Sequence, residues 1–76
     1  MNRATIAEHL ALAEKHVMAG ARIVARQREL VAELERDGHD TTEARRLLGQ
    51  FEEVQSMYEA DRDRLFAELT SLPQSK

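Results

Sequence analysis

An all-α fold, an antiparallel hairpin of two helices, is what this sequence predicts, and three observations carry the prediction. The only proline is Pro73 and the only glycines are Gly20, Gly38 and Gly49, so two long stretches rich in helix formers run uninterrupted by proline. Apolar residues recur in both stretches at the 3-4 spacing of one helix face. Between them the run DGHDTTE, Asp37 to Glu43, places a helix stop and a helix start within a few residues of each other.

The first helix is expected to run from about Thr5 to Asp37. Thr5-Ile6-Ala7-Glu8 fits a capping box, in which the Thr side chain accepts from the N3 amide and the Glu reaches back, and Asn2 is the alternative start. Gly38 is the residue type that most easily takes the left-handed conformation just past a helix end. The second helix is expected over about 41–72, with Asp40 as N-cap and Glu43 at N3, both where the helix dipole favours negative charge. Pro73 stops it. A turn of three residues, 38–40, forces the helices to return alongside one another.

His39 lies between Asp37 and Asp40, which raises the question of a site. The turn accounts for it without chemistry. It follows one helix, where contact with Leu34 is expected, and precedes the next, where contact with Ala44 is expected, and no second histidine is near in sequence. Gly38, His39, Asp40 and Glu43 are therefore read as structural turn residues.

On the first helix the seam comprises Ile6, Leu10, Ala13, Val17, Gly20, Val24, Gln27, Val31 and Leu34. On the second it is expected to hold Ala44, Leu47 or Leu48, Phe51, Val54, Tyr58, Asp61, Leu65, Glu68 or Leu69, and Leu72. Folding about the turn sets residues whose numbers sum to about 78 opposite one another, pairing Gln27 with Phe51, Gly20 with Tyr58 and Ala13 with Leu65. Large then faces small, as interdigitated packing requires. Gly20, on this pairing, either makes room for the Tyr58 ring or is a plain surface glycine.

At 76 residues the chain is one small domain, a size at which a lone core is marginal, and with no cysteine it has no disulfide to reinforce it. Self-association is the remaining reinforcement. Leu12, Ile23, Leu30, Leu48, Phe66 and Leu69 flank the seam and form an apolar patch of the kind that marks an interface. A homodimer related by a two-fold axis, closing into a four-helix bundle, is the simplest cover.

One third of the residues are charged, with a formal net charge of -3, and acids and bases are interleaved. Arg22, Arg26, Arg28, Arg45 and Arg46 make the best case for nucleic acid, but Glu29, Glu33, Glu43, Glu52 and Glu53 dilute the field. His9 and His16 fall near Glu68 and Asp61 when the hairpin closes. Their seven-residue spacing, about 10 Å along the axis, matches neither the i,i+3 nor the i,i+4 pattern of helical metal sites, so these four are read as polar layers that fix helix register. No nucleophile–base pair and no glycine-rich phosphate loop is present, so neither enzyme nor cofactor is implied. The absence of an apolar leader or span points to a cytoplasmic setting.

The run RQRELVAELERDGHDTTEARRLLGQFEEVQ and the later DRDRLFAEL resemble a group of short helical-hairpin proteins from soil alphaproteobacteria, over nearly the whole chain. The DGHDT turn followed by A-R-x-L-L, here Ala44-Arg45-Arg46-Leu47-Leu48, is the most specific motif. The resemblance implies the hairpin fold and a bacterial cytoplasmic setting, and brings no activity with it. A looser likeness, in architecture alone, is to dimeric hairpin proteins that bind RNA to regulate plasmid copy number. The function expected from the residues is a self-associating scaffold or adaptor, with a nucleic-acid-binding hairpin dimer as the alternative.

Overall fold

The computed structural model describes residues 2–73, which form helix α1 (Arg3–Arg36) and helix α2 (Thr42–Ser71) packed antiparallel as a rod 62 Å long. Among the described residues there is no strand.

Helix α1 starts earlier than the Thr5 capping box suggests. Asn2 is the N-cap: its side-chain oxygen accepts the Thr5 amide at 2.8 Å, and its carbonyl accepts the Ile6 amide at 3.1 Å. Asn caps at least as well as Thr, and the earlier start brings Thr5 and its neighbours into the helix. The other end is a Schellman motif. The Gly38 amide donates to Glu35 O at 3.1 Å, the His39 amide donates to Leu34 O at 2.9 Å, and Gly38 takes φ +75°. His39 contributes through its backbone N–H, while its side chain is exposed rather than packed against the two helices.

Helix α2 is not capped by Asp40 in the expected way. The N-cap position is Thr41, whose side chain makes no cap bond, and the Asp40 carboxylate instead accepts both the amide and the hydroxyl of Thr42, at 2.9 and 2.7 Å. This is an Asx-type turn, which satisfies one orphan amide from two residues upstream. Glu43 does not reach back. It pairs with Arg46 at 2.8 Å, one helical turn further on. At the far end Leu72 is extended, with ψ 143°, as the residue before a proline must be.

The Thr42 amide, with the hydroxyl adding to it, holds the Asp40 carboxyl below its ordinary value. The stabilisation this gives is present above the unfolded value of about 3.9 and is lost as pH falls through the lower folded value. Asp40→Asn should therefore flatten the acid limb of stability below about pH 4. Urea midpoints measured from pH 6 down to pH 2.5 check this, and an unchanged acid limb would refute it.

The α1 seam is buried at Ile6, Leu10, Ala13, Gly20, Val24, Gln27 and Val31. On α2 only Leu65 is buried, and it joins Ile6, Leu10 and Ala13 in a cluster at the open end of the hairpin, with Leu69 and Leu72 packed against it. The α2 seam departs from expectation in its middle. Val54 and Asp61 are exposed, whereas Gln55 and Arg62 are half-buried. A strict 3-4 count through Leu48, Phe51, Gln55, Tyr58, Arg62, Leu65, Leu69 and Leu72 describes the inward face.

Candidate protein-interaction surface

Two glutamines tie the helices together, one from each side. Gln27 Nε2 donates across the seam to Ala44 O at 2.9 Å, and Gln55 Nε2 donates to Val17 O at 2.8 Å. Each fixes the position of one helix along the other, the role that the sequence assigns to His9, His16, Asp61 and Glu68. Those four do not pair as expected. The Asp61 and Glu68 carboxylates are both engaged by Arg64 on their own helix, and His16 lies over Tyr58 with ring centroids 5.2 Å apart. An arginine three or four residues away on the same helix meets a carboxylate without any tertiary constraint, so the local pair wins. His9, His16 and Asp61 nevertheless line one open groove with Leu12 and Arg64. Among the described residues no three of His, Asp and Glu converge as a metal site requires.

Gly20 makes room for Gln55 first and Tyr58 second. A Cβ at this position would collide with Gln55 Oε1 and stand 3.3 Å from the Tyr58 ring. That Oε1 atom is buried and has no hydrogen-bond partner among the described residues, so the amide is held by its single N–H bond and by close fit. Gly20→Ala sets a helix-propensity gain of about 1 kcal/mol against loss of the Gln55 bond, also about 1 kcal/mol, and should gain nothing. In a Gln55→Ala background the same change should stabilise by roughly 0.5–1 kcal/mol. A double-mutant cycle by urea denaturation measures the coupling, and strictly additive effects would refute it.

The hairpin has two long flanks, and their chemistry differs. Bordering the seam on one side, seven-residue steps place His9, His16, Ile23 and Leu30 in a row on α1 and Leu47, Val54, Asp61 and Glu68 in a row on α2. The rows face each other across open grooves: Leu30 and Leu47 line one beside Leu34, Ile23 and Val54 line the next beside Phe51, and the histidine groove completes the length. Ile23, Leu30, Leu47 and Val54 remain 41% to 49% exposed. On the other flank Arg28 bonds Glu52 at 2.9 Å and Arg45 pairs with Glu35, closing the turn half with charge.

The apolar patch expected from sequence is therefore divided. Leu12, Ile23 and Leu30 belong to the groove flank. Leu48 and Leu69 are half-buried in the seam, and Leu69 packs on the open-end cluster. Phe66, 58% exposed, shares the seven-residue row of Arg45 and Glu52 and so lies on the charged flank. Leu47, Val54 and Met57, outside the expected patch, are exposed on α2. A strict heptad count that assigned Gln55 inward would have turned Leu47 and Val54 outward.

Four of the five arginines singled out for nucleic acid, all but Arg22, lie beside carboxylates. Arg28, Arg45 and Arg46 pair with Glu52, Glu35 and Glu43, and Arg26 lies 3.9 Å from Glu29. Among the described residues no helix is long and apolar enough to cross a membrane. Comparison with protein-family models, with curated proteins and with solved structures finds no match to the chain.

Proposed function

We propose that the chain is a self-associating helical hairpin, two copies of which close a four-helix bundle over the groove flank and serve as a scaffold or adaptor in protein–protein interaction. The observation that carries this reading is unfinished burial. The hairpin exposes 5816 Å², and among the described residues no large side chain is fully buried. A compact monomer of 8.7 kDa is expected to expose about 4,700 Å², so roughly 1,100 Å² is in excess. The excess follows from the rod shape, 62 × 14 × 13 Å, and a stable interface takes about 800 Å² from each partner. Four of the exposed large apolar side chains, Ile23, Leu30, Leu47 and Val54, share one flank, while Phe66 lies on the other. The paired arginines give the nucleic-acid alternative no comparable support.

Sedimentation velocity between 1 and 100 µM, a range around micromolar affinities of about -8 kcal/mol, tests the reading. A dimer is expected, and a folded monomer throughout would overturn it.

A further inference from the structure

The groove flank is not uniform along its length. From the turn toward the open end, Leu30 shares a groove with Leu47, Ile23 with Val54, and His16 and His9 with Asp61, and the seven-residue step puts Glu68 next in the α2 row. In these two rows the positions nearest the turn are apolar, with Glu43, Arg46 and Gln50 bordering the groove, and the positions nearest the chain ends are ionisable. Arg64 is bonded to Asp61 and Glu68 within that second half, so it carries both signs of charge.

We infer that the surface takes a second copy of this chain in one alignment, with both turns at the same end and the two-fold axis along the rod. This rests on the self-association proposed above and adds the direction of the partner. With the turns together, the apolar half of one copy meets the apolar half of the other. The ionisable halves then meet at the open end, where each copy offers Arg64 and carboxylates to the other and the surface is self-complementary. With the turns at opposite ends and full overlap, Ile23, Leu30, Leu47 and Val54 would cover the partner's His9, His16, Asp61 and Arg64. Those ionic groups would lose water against apolar rows whose bordering charges, Glu43 and Arg46, are already paired with each other. A staggered opposed pair, overlapping only at the apolar halves, avoids that cost but covers less of the flank than the aligned pair, and a stable interface takes about 800 Å² from each partner.

The chain has no cysteine, so a single spin label can be placed through His39→Cys at the turn and, separately, through Ala4→Cys near the open end, both exposed positions. Two helices of about 10–12 Å diameter set the bundle width, so both label pairs should lie within about 35 Å of each other in the aligned dimer. Opposed turns with full overlap would separate the two turn labels by about the 62 Å length of the rod. The open-end labels would then be only about one helical turn of 5.4 Å closer per copy. The staggered form would give a short turn distance and an open-end distance beyond the rod length. A dimer with either long distance overturns the alignment and leaves self-association standing. Monomers in sedimentation, with no dipolar coupling at either position, overturn both.

Discussion

Gly38→Val should lower the stability of the hairpin by about 2–3 kcal/mol, while His39→Ala at the next position should cost almost nothing. Gly38 takes φ +75° and a Cβ there would meet nothing within 4 Å, so the penalty comes from the backbone and not from crowding. An L-residue in the left-handed region costs roughly 1–2 kcal/mol, and a β-branched side chain is the least tolerant of it. If the chain escapes the strain by changing φ, it loses the Gly38 and His39 amide bonds to Glu35 O and Leu34 O, each worth about 1 kcal/mol. Both routes are costly for a domain whose whole stability is about 0.05–0.15 kcal/mol per residue. His39 acts through its amide, which alanine keeps. Asparagine at 38, which tolerates the left-handed region, should recover part of the loss. Urea denaturation followed by helicity checks the series. A valine variant as stable as the parent would remove the turn from the list of features that hold the fold.

The helices and the turn were legible because each is written redundantly. The seam of α1 combines 3-4 spacing with apolar side chains, and every residue read into it is buried or half-buried. The turn combines glycine with cap formers on both sides. Where two comparable residues compete within a few positions, sequence did not decide between them. Asn2 outcompetes Thr5, and the Asp40 carboxylate serves Thr42 from outside the cap, because alternatives of this kind differ by only a fraction of the typical capping energy of about 1 kcal/mol. The middle of α2 departs from the sequence pattern for a different reason. Val54 and Asp61 were placed inward, Val54 on the strength of its side chain, but the inward positions belong to Gln55 and Arg62. Hydrophobicity is a poor guide where an amide is kept for a bond to the opposite backbone, and spacing does not decide either, since the register through Val54 and Asp61 and the register through Gln55 and Arg62 both keep 3-4 steps. The histidine–carboxylate pairs failed through local competition, since Arg64 reaches both carboxylates within its own helix. Phe66 was grouped with Ile23 and Leu30 because all three border the seam. Which flank a bordering residue joins depends on a one-position difference in register, and that becomes visible only once the α2 count is right.

Charging the groove flank through Ile23→Glu and Leu30→Glu together should abolish self-association, and Phe66→Ser should leave it intact. In the isolated hairpin Ile23 and Leu30 are already 49% and 42% exposed, so glutamate there can keep its water, and its helix propensity is favourable. In a two-fold assembly each substitution occurs twice, placing four carboxylates in a contact that otherwise holds Val54, Leu47 and their copies. A buried ion without a partner costs several kcal/mol, and the carboxylates repel one another as well. A loss of only about 4 kcal/mol is a factor of about a thousand in dissociation constant, enough to move a micromolar dimer beyond any working concentration. Phe66, in the row of Arg45 and Glu52, lies outside the proposed contact, so truncating it removes exposed apolar area from the other side. Sedimentation of the two variants beside the parent, with far-UV circular dichroism to follow helicity, separates the outcomes. If the doubly charged chain remains dimeric, the groove flank is not the interface. If Phe66→Ser dissociates the dimer, the contact lies on the flank that Arg28, Glu35, Arg45 and Glu52 close with charge, and the apolar row of Ile23, Leu30, Leu47 and Val54 loses its proposed role.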